Sequence, residues 1–579
     1  MGASLNQVTL NARLQGVIDA FPNPLALLEN TAAHRGRYEA LMCMRQVDDP
    51  VPQSWTYERF SDTVLRVCGA LHAMGVGEHD GVLIAAPSCP SAAAAFIGAS
   101  GAGVAFPLNP LLSEESIATQ LKLARTRVAL IWGESDIGQK VRRVAGSVDV
   151  VDISDASSAW ANHLATAEPL GFQGHPDRDA ALFHTGGTTG APKLGVLSAR
   201  NLAAGSVMSQ AVIGIESSDR MLTAFPLFHV GGAITCLLAT IVAGGTIIFP
   251  SLLGGRDPAI PNEIWNLVER SRTTLLSMVP TSLGAIADTP VATSDIASLR
   301  AICTGAAPLP LEIARKLEAN TGVPVCQIYG MTETSGIVSG QPTDGRSRAA
   351  SVGYPAPLLQ IAISKADTAE NIGEVTVRGP NSFRGYRSLD GMVDSPVDGW
   401  VNSGDLGRIS TDGELRLMGR SKDVIIRGGH NIDPIMIEDV ALRHPAVSNA
   451  VAVPMPDAYA GELPVLFVTL HQPVDETTLL EFIAGDIAER PAHPKRVFVV
   501  DDVPMTAVGK LARFRLRQEA TLIALREGIG AVEAEMYCRD PAGKMVTIAL
   551  GENAREDREL IEQAAARLGL MAEFVEKYI

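Results

Sequence analysis

The chain has 579 residues, 46% of them hydrophobic and 19% charged, a balance that supports several buried cores and excludes global disorder. Its formal charge of −16, from 48 basic and 64 acidic residues, excludes a general electrostatic affinity for nucleic acid or anionic membrane. Its 7 cysteines lack paired metal-ligand spacing and read as reduced cytosolic thiols, so a cytoplasmic protein is expected.

The first residues carry neither a basic run ahead of an apolar core nor a myristoylation pattern, so no secretion signal is expected. Residues 57–74 place apolar side chains at helical spacing. Short apolar runs at 81–86, 103–107, 128–131 and 148–151 recur at similar intervals. That alternation predicts β/α layers with buried, mostly parallel strands. Two apolar stretches, 91–112 and 234–250, invite a membrane reading. Glycines and prolines interrupt the first, and Gly244-Gly245 cuts the second below spanning length, so both are expected inside an α/β core with no integral membrane segment.

The run His184-Thr185-Gly186-Gly187-Thr188-Thr189-Gly190-Ala191-Pro192-Lys193 follows a strand-like approach. Glycines let backbone N–H groups come close to an anion, threonine hydroxyls add donors, and Lys193 supplies positive charge, a composition suited to wrapping phosphate. Pro192 before the lysine and Leu194 after it exclude the Walker A pattern, and with it an ordinary P-loop kinase or GTPase. Taken alone, the run is also compatible with a Gly/Thr-rich surface turn.

After Asp405 the texture changes. Residues 413–419 are strand-like, and the polar cluster Arg420-Ser421-Lys422-Asp423 reads as an exposed connection between domains. Beyond it a helix is predicted over 434–443, strands over 450–454 and 463–470, and a helix over 476–488. Farther on, 532–538 and 545–550 predict a hairpin across Asp540-Pro541-Ala542-Gly543, followed by an amphipathic helix at 555–568.

Other segments stand in a fixed order around the glycine-rich run: Pro226-Leu227-Phe228-His229-Val230-Gly231-Gly232, Thr304-Gly305-Ala306-Ala307-Pro308-Leu309 and Gln327-Ile328-Tyr329-Gly330-Met331-Thr332-Glu333-Thr334. They are followed by Gly399-Trp400-Val401-Asn402-Ser403-Gly404-Asp405, Gly419-Arg420-Ser421-Lys422-Asp423 and Pro504-Met505-Thr506-Ala507-Val508-Gly509-Lys510. The ordered set, over about residues 55–517, resembles the adenylate-forming superfamily of acyl-CoA synthetases, adenylation domains and luciferases. The resemblance implies an α/β fold: a large N-terminal domain of α/β layers (1–419) and a smaller, mobile α+β C-terminal domain (420–518). Residues 519–579 then form a short α+β extension, expected as an accessory module.

The implied reaction is AMP-forming ligation, in which ATP and Mg²⁺ activate a carboxylic acid as acyl-adenylate and CoA takes the acyl group. Charge gathers at the phosphates, so such catalysis is chiefly positioning and electrostatics. Carried over position by position, Thr185, Gly186, Gly187, Thr188, Thr189 and Lys193 would hold the β- and γ-phosphates. Glu333 would take the metal, with Tyr329 and Thr332 at the adenine and the α-phosphate. Gly305, Ala306 and Ala307 would pass beside the adenine, and Asp405 with Arg420 would hold the ribose. Lys510 would bridge the carboxylate and α-phosphate oxygens, and Lys422 would be the hinge. Arg427, Gly428 and Gly429 would border the CoA tunnel. His229 would gate the acyl pocket, lined by Gly231, Gly232, Thr304, Gly330 and Thr334. Acetate-specific relatives carry tryptophan at the position of Gly330, so a medium, long, branched or aromatic acid is expected, with fatty acid metabolism as a setting.

Three positions depart from the family pattern: Gly186 in Thr185-Gly186-Gly187 stands where a hydroxyl is usual, Leu194 stands where glycine is common, and Ser198-Ala199-Arg200-Asn201 replaces Thr-His-x-Asn. Two alternatives remain beside the CoA ligase: an adenylate-forming ligase that loads a separate acyl carrier protein, and a catalytically silent acyl or nucleotide sensor. Retention of Lys193, Glu333, Asp405, Arg420 and Lys510 weighs against the sensor. A homodimer is left open. No G-x-G-x-x-G follows a strand with an acidic residue at the right distance, which disfavours a flavin or nicotinamide enzyme.

Overall fold

In the computed structural model, residues 2–185, 193–345, 351–364, 371–389, 393–420, 423–506, 511–530, 532, 534–538, 540–550 and 555–576 are described. The apolar stretch at 91–112 is folded inside. Helix Pro90–Ala102 buries every residue except Ser91. Its small side chains let it lie close to helix Tyr57–Ala73: a Cβ on Gly98 would fall 2.6 Å from Val67 Cγ1. The strand Val104–Pro107 that follows is wholly buried. Among the described residues no helix is long and apolar enough to cross a membrane.

Two large sheets carry the first 400 residues. In the eight-stranded sheet, Val104–Pro107, Gly81–Ala85, Thr126–Ile131 and Asp149–Asp152 run parallel, as the sequence alternation predicts. Asp179–His184 joins them in parallel. Leu194–Ser198 then turns back antiparallel to it, and Gly385–Arg387 adds a further antiparallel strand. The mostly parallel expectation holds for the runs it was made for, while the strands that flank the glycine-rich run pair antiparallel. In the nine-stranded sheet, neighbouring strands are parallel from Glu39–Cys43 through Thr246–Phe249, Arg220–Thr223, Leu275–Met278 and Ala301–Gly305 to Val325–Tyr329. An open parallel sheet of this kind presents its ligand crevice at the carboxyl ends of the strands. Thr223, Met278, Gly305 and Tyr329 stand there.

A four-stranded antiparallel sheet follows: Gln360–Ser364, Gly373–Arg378, Val401–Ile409 and Leu415–Arg420. The next body is built on a long hairpin, Val447–Asp457 with Gly461–Leu470, backed by helices Pro434–Ala441 and Glu476–Asp486. Helix Arg513–Ile529 runs without a break through the expected join at 518/519. Its first half packs Leu516, Ala520 and Ala524 against Val451, Val453 and Phe467. Its last turns pack Leu525 and Ile529 against Met536, Val546, Ile548 and Ile561 of the C-terminal module. There the hairpin Glu535–Cys538 with Met545–Leu550 and the helix Arg555–Arg567 form as expected. A third strand, Met571–Glu576, lies parallel to Met545–Leu550 and completes a β-α-β unit.

Candidate active site

The two strands that flank the glycine-rich run hold its ends together, with His184 opposite Leu194 and the Thr185 hydroxyl donating to the Lys193 carbonyl at 3.4 Å. Gly186, Gly187, Thr188 and Thr189 lie outside the described residues. Below the loop, the Thr332 hydroxyl donates to the His184 carbonyl at 3.5 Å. Gly195 allows this convergence, because a Cβ there would fall 2.9 Å from Thr332 Cγ2 and 3.3 Å from Thr185 Cγ2. His184 shares a 2.6 Å hydrogen bond with Gln120 Oε1 and packs on Phe106. Burial pushes its pKa down to about 4, so the imidazole is neutral near pH 7 and serves as a support.

Glu333 sits in the short 3₁₀ turn Thr332–Thr334. Its Oε1 accepts from the Tyr386 hydroxyl at 2.6 Å, and its backbone carbonyl accepts from Phe383 N–H at 2.9 Å. Burial and the Glu333 carboxylate hold the Tyr386 phenol well above its usual pKa, so it stays a donor. Lys193 Nζ lies 5.7 Å from the Tyr386 ring centroid, which brings the lysine of the loop and the expected metal carboxylate to one tyrosine. The surrounding turn is fixed by Asn381, fully buried, whose amide donates to the carbonyls of Thr334 at 2.7 Å and Ile337 at 2.9 Å. Glu333 Oε2 has no hydrogen-bond partner among the described residues. A hard oxygen bound on one side only fits Mg²⁺, which takes one or two carboxylates and completes its shell with phosphate and water.

The nucleoside side is assembled from two sheets. The Tyr329 phenol donates to Asp405, which stands opposite Arg420 in an antiparallel register. Arg420 Nε is 3.4 Å from Asp405 Oδ1. Burial and Asp405 raise the Tyr329 pKa well above its ordinary value, so this phenol also remains protonated. Gly305 lies where a Cβ would come 2.5 Å from the Ile328 carbonyl, and Ala306 takes a left-handed φ of +73°. A non-glycine residue held there costs about 1–3 kcal/mol, a strain typical of sites that need backbone at one place. It turns the chain at the end of strand Ala301–Gly305 toward Ala307.

His229 precedes a π-helix, Gly231–Leu238, a form found mostly at functional sites. Its Nδ1 accepts from Gly231 N–H at 3.1 Å, which orients the ring. A Cβ on Gly232 would lie 2.2 Å from the Pro226 carbonyl, so the fold of this turn itself requires glycine. The same holds at Gly330, where a Cβ would meet the Gly336 carbonyl at 2.2 Å. The direction in which a side chain would leave Gly330 is thus filled by backbone, which revises the simple reading of open space there. Thr304 and Thr334, also expected as lining residues, are buried. Thr304 is 1% exposed with its hydroxyl unpartnered, and Thr334 is fully buried with its hydroxyl turned onto Met331.

In the smaller body, Gly428 and Gly429 have φ of +55° and +87° and connect the paired strands Ile425–Arg427 and His430–Ile432. Two consecutive residues with positive φ are what a type I′ hairpin demands, an independent reason for this glycine pair. Arg427 is engaged by the smaller body, donating to the Pro491 carbonyl at 2.7 Å. Lys422 and Lys510 lie outside the described residues. Met505 and Thr506, which lead toward Lys510, face Leu111, Arg256 and Thr281 of the large body across a cavity of about 400 Å³.

Tyr386, Asn381, Gly195 and the His184–Gln120 pair are absent from the sequence-derived site. Each acts through a partner remote in the chain, so no local motif marks it.

Residues 28–387 match the AMP-binding enzyme family, and residues 436–510 match the AMP-binding enzyme C-terminal domain. The chain is 30% identical over 567 residues to the marinolic acid–CoA ligase of Pseudoalteromonas sp., covering 90% of this chain and 85% of that protein. It is 31% identical over 485 residues to the indoleacetate–CoA ligase of Aromatoleum aromaticum, covering 80% and 92%. The fold superposes on ATP-bound MatB from Rhodopseudomonas palustris with a TM-score of 0.77 at 26% identity, covering 87% of this chain and 99% of that one.

Proposed function

The chain belongs to the AMP-binding enzyme family and is an acid–thiol ligase, and from that membership we propose that its cleft joins a carboxylic acid to CoA at the expense of ATP, giving AMP and pyrophosphate. The observation that carries this reading is the meeting of Lys193, Tyr386 and Glu333 beside Thr185 and Thr332, with Tyr329, Asp405 and Arg420 completing a nucleoside site.

In the first step a carboxylate oxygen of the acid attacks the α-phosphorus and the bond to pyrophosphate breaks. Lys193 and the ends of the glycine-rich loop meet the charge that collects on the departing phosphates, and Thr332 stands beside the α-phosphate. Glu333 would hold Mg²⁺, which would supply further neutralisation of phosphate charge. Asp405 accepts from the ribose hydroxyls while Arg420 keeps its carboxylate oriented. In the second step the CoA sulfur attacks the acyl carbon and AMP leaves with the bonding electron pair. Rotation of the smaller body about residues 420–423 exchanges the Lys510 loop for the Gly428-Gly429 hairpin at the cleft. Medium, long, branched and aromatic acids are the first to try, given the similarity to ligases of indoleacetate and marinolic acid, beside small ones, given the similarity to ligases of oxalate and sulfoacetate.

The test is acid-dependent pyrophosphate release from ATP and Mg²⁺ over short, medium, long and aromatic acids, with and without CoA, with products identified by mass. Acyl-CoA formation supports the ligase and ranks its acids. Pyrophosphate release without a CoA thioester would instead point to a carrier-protein acceptor, and silence across the panel to a sensor.

A further inference from the structure

The chain crosses from the large body to the smaller one between strand Leu415–Arg420 and strand Ile425–Arg427. Asp423 stands in that crossing, its N–H bonded to the Arg420 carbonyl at 2.9 Å. Its Oδ1 accepts from Arg517 Nη2 at 2.7 Å. Arg517 projects from helix Arg513–Ile529 with a side chain only 6% exposed, and its Nε is buried without a partner among the described residues. A guanidinium removed from water and answered by one carboxylate depends on its surroundings to stay aimed at that carboxylate.

Those surroundings include the C-terminal module, which lies beyond both family matches. Its turn at Asp540-Pro541-Ala542-Gly543 docks on the same helix. Gln518 Nε2 donates to the Asp540 carbonyl at 2.9 Å, and the Thr521 hydroxyl donates to the Gly543 carbonyl at 2.9 Å. Asp540 preorganises the turn, its carboxylate accepting from Lys544 N–H at 3.0 Å and Met545 N–H at 2.7 Å. Contact is tightest at Gly543, which has φ +67°. A Cβ there would lie 2.9 Å from Thr521 Oγ1 and 3.3 Å from Arg517 Cγ. The turn thus presses on the stem of the arginine that grips the crossing.

We propose that the C-terminal module is a hinge brace: its turn at 540–543 holds Arg517 on Asp423 and so sets the pose of the smaller body, and with it the balance between adenylation and thioester formation. The proposal rests on the two-step reading above. It assigns to the module a positioning role for the reaction, acting through Arg517 and away from substrate.

The test uses the full-length chain carrying Gly543→Val, which wedges the turn from Arg517, or Arg517→Met, with Arg517→Lys as the conservative partner. A double variant, Gln518→Leu with Thr521→Val, removes the docking bonds without crowding. Acid-dependent ATP–pyrophosphate exchange reads the first step, and acyl transfer from supplied acyl-adenylate to CoA reads the second. The ratio of the two rates is expected to shift about 5-fold or more in Gly543→Val, Arg517→Met and the double variant, with partial recovery in Arg517→Lys. Combining Gly543→Val with Arg517→Met should add nothing beyond Arg517→Met. A fall of both steps by one common factor, or an unchanged ratio in the double variant, overturns the brace. Labels at Tyr459 and Val397, exposed on the smaller and the large body, give a readout independent of turnover. Their distance distribution should move in Gly543→Val and Arg517→Met alike, and an unchanged distribution overturns the brace even if the ligase reading has failed.

Discussion

Among the described residues the hydrogen bond that orients the Glu333 carboxylate comes from a tyrosine, which matters for what it can do. A neighbouring lysine or arginine at hydrogen-bond distance would neutralise the carboxylate and compete with a metal. Tyr386 fixes one oxygen at 2.6 Å through a neutral donor. A hydrogen bond to a charged group is worth about 1.5–3 kcal/mol. Tyr386→Phe is therefore expected to slow acid-dependent ATP–pyrophosphate exchange by about 10- to 100-fold and to raise the Mg²⁺ concentration for half-maximal rate. An exchange rate within a factor of two of the unaltered chain, measured at limiting Mg²⁺, would show that Tyr386 does not orient Glu333. This residue was invisible in the sequence because it meets Glu333 only after strand Gly385–Arg387 pairs with Leu194–Ser198, 190 positions earlier in the chain. Lys193, Glu333, Asp405 and Arg420, by contrast, stand in motifs whose local order made them candidates, and the structure joins Lys193 to Glu333 through Tyr386 and Asp405 to Arg420.

Elements whose instructions are local were readable in the same way. The hairpin across Asp540-Pro541-Ala542-Gly543 announces itself by its turn residues, and helix Tyr57–Ala73 by its spacing. Strand Met571–Glu576 does not, because its partner is reached across a helix and its six residues carry little pattern of their own. Contacts between elements of different bodies were likewise hidden, and Asp439 is the sharpest case. It lies on helix Pro434–Ala441 of the smaller body, close to the Leu311 N–H that starts helix Leu311–Thr321 of the large one. Burial raises its pKa from 3.8 to about 6, and the Leu311 amide offsets only part of that cost. A carboxyl with a raised folded-state pKa binds its proton more tightly in the native state, so its contribution is best at low pH and is lost as pH rises from about 4 through 6. Above that window the ionised group costs up to about 3 kcal/mol. Asp439→Asn is expected to raise the thermal midpoint near pH 7.5 by a few degrees and to leave it unchanged near pH 4. Melting curves across this range decide it, and an equal shift at both ends would mean that ionisation is not the cause.

Taken as a whole, the molecule places its chemistry on two bodies that must meet. The groups proposed to hold the nucleotide are on the large body, while Met505 and Thr506, which share a cavity with Leu111, Arg256 and Thr281, belong to the smaller one. Lys510, four positions beyond Thr506 in the sequence, lies outside the described residues. In the proposed reaction its charge would serve only the step in which pyrophosphate leaves, the loop being withdrawn for the second. Lys510→Ala is accordingly expected to cut adenylation by at least about 100-fold while leaving ATP affinity within a few-fold. Transfer from supplied acyl-adenylate to CoA should persist at close to its original rate. Single-turnover rates for each step, with ATP binding measured by calorimetry, separate these effects. Equal losses in both steps would mean that the substitution disturbs how the bodies pack, and a normal adenylation rate would remove Lys510 from the reaction.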